Sequence, residues 1–170
     1  METLQSELRG VRLMRLDIFE DHRGQYIESY NKGRYYSNGM DIEFVQDDIS
    51  VSSKNVLKGI HGDFETWKLI TCFYGKFYLV VVDCRQDLDS FGRWESFVLS
   101  GENGLQVLVP PGYGNGHLIL SDQAVFHYKQ STYYHPKKQF SYRYDDARFN
   151  IWWPSVTPIL SRRDEAGKYV

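Results

Sequence analysis

The 170 residues predict an all-β protein, a jelly-roll β-sandwich with a few short helices, on three observations. Short runs rich in β-branched and aromatic residues recur along the whole chain. Clusters of Gly, Asp, Asn and Pro separate them. Turn signals return about every 8 to 12 residues, the rhythm of strands folded back on one another.

Taken in order, the first ten or so residues carry no strong pattern, and they are expected either to be loosely held or to pair with a partner subunit. "DHRG" is a turn leading into "GQYIESY", the first clear strand run. "NKGRYYS" is the main helix candidate, a turn or two closed by "SNG", and the last residues are the other. "FVQDDISVSS", "LITCFY", "KFYLVVVDCR", "WESFVLS", "LQVLVP" and "AVFHYKQSTYY" follow as strands, with "GENG" and "PPGYGNG" between them as punctuation. There is no repeat, low-complexity tract or linker. One domain spanning 1–170 is expected, since domains average roughly 100 to 200 residues.

Bulk properties exclude several classes. A net charge of −2 and scattered lysines and arginines supply no basic field for nucleic acid. No stretch approaches the roughly 18 uninterrupted apolar residues of a membrane span. Cys72 and Cys84 lie inside apolar runs, and no long apolar signal segment precedes Arg9, which fits a reduced, cytoplasmic protein. The 13 tyrosines suit a groove for a polar organic ligand or an oligomer interface, although filling a sandwich explains most aromatic residues.

In "LKGIHGDFETWKLI", residues 57 to 70, His61 sits close to Gly59 and Gly62 in a strand-like run, and Lys68 follows. It is open to three readings: metal ligand, packed histidine or proton-abstracting base. In "GENGLQVLVPPGYGNGH" the spacing of Gly104, Pro110, Gly112 and Asn115 resembles the second motif of cupins, a jelly-roll superfamily. Cupins usually place a metal-binding histidine where this chain has Asn115. A metal site needs three or four ligands, and His61 lacks the paired histidine and glutamate that would accompany it. His117 faces the same way as Asn115 on a strand and is a binding or packing residue on this reading. No metal is expected. Glycines beside His61 let backbone approach a ligand closely, which lowers the weight of ordinary packing.

Eight ordered blocks, "FEDHRGQYIESY", "FVQDDISVSSKNVLKGIHG", "KLITCFYGKFYLVVVDCR", "FGRWESFVLSGEN", "VPPGYGNGH", "VFHYKQSTYYHP", "DDARFNIWWP" and "ILSRRD", resemble the dTDP-4-dehydrorhamnose 3,5-epimerase family from about residue 15 to residue 164. The resemblance implies a cupin-type jelly roll without catalytic metal or cofactor, assembled as a homodimer, acting on a nucleotide diphosphate-linked 4-keto-6-deoxy sugar. A ketone at carbon 4 acidifies the protons on carbons 3 and 5, so a positioned base removes one and an acid on the opposite face returns one. The family match implies His61 as base, Asp164 as the carboxylate that orients it, Tyr128 as proton donor and Lys68 as the group that stabilises the enolate oxygen. Arg23 matches a pyrophosphate-binding arginine. Glu28, Gln46 and Asp48 fall where the family contacts the nucleotide and its neighbouring strand. Lys58, Asn115, His117, Tyr134 and Arg163 complete the expected substrate-binding set.

The chain also departs from the family's usual pattern. The block around the base, usually Arg-Gly-Leu-His-Tyr-Gln, reads Lys58-Gly59-Ile60-His61-Gly62-Asp63. The histidine of Gly-Phe-Ala-His-Gly-Phe becomes Asn115, and Gln-Asp-Asn becomes Gln46-Asp47-Asp48. A smaller Gly62 is expected to leave room for a bulkier sugar or a different phosphate path. These features resemble the branch that epimerises GDP-linked 6-deoxy-4-keto-heptoses for capsules, so a GDP-heptose is the favoured substrate and dTDP-4-keto-6-deoxyglucose the alternative. Retaining His61 and Tyr128 permits inversion at both carbons without requiring it. Three other functions compete: a cupin-type 3,4-ketoisomerase, which generally carries paired histidines near the base, a non-catalytic sugar-nucleotide-binding module, and a metal-dependent cupin oxygenase.

Overall fold

A computed structural model describes residues 1–168. In chain order it contains β1 (Glu2–Leu4), β2 (Arg12–Arg15), β3 (Ile18–Asp21), β4 (Gly24–Ile27), α1 (Lys32–Ser37), β5 (Gln46–Ser53), β6 (Leu57–Gly62), β7 (Lys68–Tyr74) and β8 (Lys76–Asp83). The second half contains β9 (Trp94–Ser100), β10 (Leu105–Val109), β11 (Tyr113–Ile119), β12 (Gln123–Gln130), a 3-10 turn (Pro136–Lys138), β13 (Phe140–Ser141) and α2 (Arg162–Glu165). Two antiparallel sheets form the sandwich, one of six strands in the order β1-β2-β10-β7-β12-β5 and one of five in the order β13-β6-β11-β8-β9, with β3-β4 as a separate hairpin. The expected jelly-roll class is the one observed. Among the described residues no helix is long and apolar enough to cross a membrane.

Burial explains why some strands read as continuous apolar runs and others alternate. Phe77, Leu79 and Val81 of β8 point between the sheets, where they meet Ile70, Val107 and Phe126. Tyr78, Val80 and Val82 point the other way and are covered by the C-terminal segment through Phe149 and Trp153. With both faces covered, "FYLVVV" gains nothing from polar alternation. By contrast β5 is an edge strand whose residues alternate between half-buried and exposed. The helix α1 starts where Asn31 caps it, its side chain accepting from the Arg34 amide at 3.2 Å. α1 then buries Tyr35 in a small third cluster with Met14, Leu69 and Leu108.

Two expectations are corrected. The N-terminal residues pair with their own chain: Glu2–Leu4 adds to β2, Leu8 is buried, and the Ser6 hydroxyl donates to Glu95 at 2.6 Å. "PPGYGNG", expected to be punctuation, contributes most of β11, an interior strand paired with both β6 and β8. Its glycines serve packing. A Cβ on Gly114 would fall 2.4 Å from Ile60 Cγ2, and one on Gly116 2.8 Å from Ile60 Cδ1. β2 and β3 escape a sequence reading because each is four residues long with charges interspersed.

Candidate active site

A cavity of about 340 Å³ opens between the two sheets at the end where β6, β7, β11 and β12 come together. His61 reaches it from β6 and Asn115 and His117 from β11, all in the five-stranded sheet. Lys68 of β7 and Tyr128 of β12 reach it from the six-stranded sheet, so His61 and Tyr128 occupy facing walls.

Asp164 arrives from the far end of the chain. Ser161 caps α2, its hydroxyl accepting from the Asp164 amide at 3.2 Å and donating to Asp164 Oδ2 at 2.6 Å. The other carboxylate oxygen, Oδ1, lies 2.7 Å from His61 Nε2, and the Gly59 amide donates to it at 3.2 Å. The imidazole N–H is close to that oxygen but not squarely in line with it. Gly59 makes this junction possible: at φ +125, a Cβ there would fall 2.4 Å from Gly116 Cα. Burial pushes the Asp164 carboxyl up, yet the hydrogen bonds from His61, Ser161 and Gly59 outweigh it and hold the group below its ordinary 3.8. Asp164 is therefore an anion held against the ring.

The opposite wall has the reverse character. Burial, then the neighbouring Asp48 carboxylate, raises the Tyr128 phenol to about 12, so it keeps its proton at any ordinary pH. Lys68 is buried, and loss of water lowers its ammonium pKa, an effect opposed by Asp63 and reinforced by Arg163. The set combines an imidazole backed by a carboxylate, a phenol that stays protonated and a dry amine. Such a set can take a proton from one face of a bound molecule, supply one to the other and stabilise charge between them. Among the described residues no three His, Cys, Asp or Glu side chains come together as a metal site.

Of the expected binding residues, Lys58, Asn115, His117, Tyr134 and Arg163 line the cavity, and Lys58 Nζ donates to Ser50 Oγ at 2.5 Å. Gln46 and Asp48 stand just outside. They are tied to one another and to the wall, since Gln46 and Gln130 both donate to Asp48 Oδ2 (2.8 and 2.7 Å) and the Tyr134 amide donates to Gln46 at 2.9 Å. Arg23 and Glu28 do not reach this chain's cavity. Arg23 projects from the β3-β4 hairpin and pairs with Asp21 at 2.6 Å, while Glu28 accepts from Asn31 and Arg34, both at 3.0 Å. The room expected beside Gly62 is absent, because a Cβ there would lie 2.5 Å from both Phe140 Cζ and the Tyr113 carbonyl. Phe140 fills that space. Asp63 is equally committed to the fold, accepting from the Glu65 and Thr66 amides at 2.9 and 2.6 Å and from Gln139 at 2.7 Å.

Sequence reasoning missed Ser50, Phe126, Gln130, Gln139 and Ser161, all of which line the cavity. The two-residue period of a strand would have added Ser50 after Asp48 and both Phe126 and Gln130 around Tyr128. A serine three residues before Asp164 is a helix-capping signal.

Comparison with known proteins agrees with this arrangement. A family model described as dTDP-4-dehydrorhamnose 3,5-epimerase matches residues 5–170. The dTDP-4-dehydrorhamnose 3,5-epimerase of Escherichia coli is 39% identical over 170 residues, covering 97% of this chain and 92% of its own. The structure of dTDP-6-deoxy-D-glucose-3,5-epimerase from Legionella pneumophila in complex with dTDP-4-keto-L-rhamnose matches with a TM-score of 0.93 at 35% identity, over 98% of this chain and 90% of that one. That of dTDP-4-dehydrorhamnose 3,5-epimerase from Bacillus anthracis, with TDP and PPi bound, matches with a TM-score of 0.95 at 31% identity, over 99% of each chain. By family match, identity and fold together, the chain belongs to the dTDP-4-dehydrorhamnose 3,5-epimerase family and is a nucleotide-sugar epimerase of the isomerase class.

Proposed function

We propose that the protein inverts carbon 3, carbon 5 or both of a nucleotide diphosphate-linked 4-keto-6-deoxy sugar by removing and returning protons through an enolate. The observation that carries this reading is the His61–Asp164 pair, 2.7 Å apart, facing the Tyr128 phenol across one cavity. With the Nε2 proton directed at Asp164, Nδ1 is left as the basic nitrogen, and the carboxylate stabilises the imidazolium that forms. Lys68 supplies positive charge to the oxygen of the enolate. Tyr128 delivers a proton from the other face, which is what turns exchange into inversion. Lys58 and Arg163 are the cations available to the diphosphate.

The ligands bound by the Legionella and Bacillus relatives, dTDP-4-keto-L-rhamnose and TDP, favour dTDP as the nucleotide and dTDP-4-keto-6-deoxyglucose as the substrate. A GDP-linked 6-deoxy-4-keto-heptose is the second reading, motivated by the altered residues Lys58 and Asn115 in the cavity wall. Gly62 no longer supports it, because Phe140 occupies its space. A homodimer accords with the position of Arg23 and Glu28, which lie away from their own cavity on or beside a projecting hairpin whose Phe19 and Tyr26 are exposed.

The deciding experiment is deuterium uptake from heavy water into dTDP-4-keto-6-deoxyglucose and, in parallel, a GDP-linked 6-deoxy-4-keto-heptose, read by mass spectrometry and NMR. Label at carbon 3 alone or at carbons 3 and 5 of one substrate identifies the nucleotide and the positional scope together. Absence of label in both, from protein that still binds either nucleotide, overturns the epimerase assignment for these sugars.

A further inference from the structure

Among the described residues, five buried side-chain polar atoms lack a well-formed hydrogen bond: His61 Nε2, Asn115 Oδ1, His117 Nε2, His127 Nδ1 and Ser141 Oγ. The residues bearing the first three line the same cavity. His61 Nε2 is answered by the nearby Asp164 carboxylate. Asn115 and His117 have no protein group to answer them. A buried polar atom without a partner costs roughly 1–3 kcal/mol, so native proteins satisfy nearly all of theirs, and exceptions at a cavity wall point to a ligand.

Both side chains are held in place. Asn115 pairs across β11 and β6 with His61 itself, and His117 with Lys58. The His117 ring stacks on Phe126 with centroids 4.0 Å apart and planes 10° from parallel, while Phe77 packs against it at 5.5 Å. From Asn115 to His117 the wall therefore runs from the base toward a lysine.

We propose that Asn115 and His117 are the residues that read the sugar: Asn115 Oδ1 accepts a hydrogen bond from a ring hydroxyl beside the carbon facing His61, and His117 Nε2 bonds the next hydroxyl toward the diphosphate. The proposal rests on the epimerase reading only in taking the ligand to be a nucleotide-linked sugar. Burial, then the charges of Lys58 and His61, lowers the His117 pKa to about 3, so the ring is neutral. A neutral imidazole and a carboxamide suit hydroxyl groups, whereas phosphate oxygens are served by Lys58 and Arg163.

The test compares affinities of the sugar-free and sugar-bearing nucleotide by calorimetry. The probes are dTDP against dTDP-glucose and GDP against GDP-mannose, and the pair that wild type binds is followed in Asn115→Ala, His117→Phe and His117→Gln. The expected result is that Asn115→Ala and His117→Phe each reduce the advantage of the sugar-bearing nucleotide about three- to tenfold, the size of one hydrogen bond, with the nucleoside diphosphate affinity unchanged. His117→Gln, which keeps a neutral hydrogen-bonding group, recovers part of that advantage. An unchanged ratio in Asn115→Ala and His117→Phe overturns the proposal. Parallel loss of both affinities, without recovery in His117→Gln, also overturns it by assigning the pair to packing. Deuterium uptake is not part of this readout, so failure of the epimerase reading leaves the outcome legible.

Discussion

Asp164 Oδ1 stands 2.7 Å from His61 Nε2, and Asp164 is almost wholly buried, at 2% exposure. The contact joins the penultimate turn of the described chain to a strand in its first half, and it turns an ordinary imidazole into an oriented base.

Replacing His61 by Ala removes the base while leaving the phosphate-binding cations in place. Solvent deuterium exchange at both carbons is expected to fall by at least about 10²-fold, the usual contribution of general base catalysis. Nucleotide affinity, measured by calorimetry, should stay close to wild type.

Asp164→Asn keeps the shape but loses the anion, so turnover should drop steeply while KM changes little. The substitution also changes stability against pH. Because the folded carboxyl sits below 3.8, its contribution is complete above that value and is lost as pH falls through the lowered pKa. Urea midpoints between pH 5 and pH 2, read as about three points on that curve, should decline less in Asp164→Asn than in wild type.

Tyr128→Phe separates the two halves of the reaction. Deuterium wash-in driven by His61 should persist, and net inversion should suffer more than wash-in. Equal activity of Tyr128→Phe and wild type in a stereochemical assay would remove the phenol from the donor role. Since that phenol is raised to about 12, its ultraviolet titration should be missing from the wild-type curve below about pH 11.

Lys68→Met exchanges a dry amine for an apolar side chain of similar length. Turnover should fall about 10²- to 10³-fold, as for loss of one group that stabilises an oxyanion. Stability should move the other way at neutral pH, since the buried charge disappears. In wild type, the lowered pKa means that stability increases as pH rises from that pKa toward 10.5, and chemical denaturation of Lys68→Met should lack this increase.

Gly59→Ala tests the junction between strands. Its φ of +125 and the 2.4 Å approach to Gly116 leave no place for a methyl group. The backbone conformation alone should cost roughly 1–3 kcal/mol, with the clash added to it, seen as a lower urea midpoint.

Strand periodicity alone made the sandwich legible, because the edge strand β5 alternates and the doubly covered β8 does not. The order of short motifs made the family, His61, Lys68, Tyr128 and Asp164 legible as well. Other features depended on distances between segments remote in sequence. The glycines of "PPGYGNG" read as turn because the sequence does not display Ile60 lying over them. Gly62 read as open space because Phe140, which fills it, comes from β13. Arg23 and Glu28 carry the same motif match as Lys58, yet only Lys58 faces this chain's cavity. Local residue types determine which segments become strands and which groups can exchange protons. The packing of one sheet on the other decides which of those groups share a cavity, because that depends on side chains brought together from opposite ends of the chain.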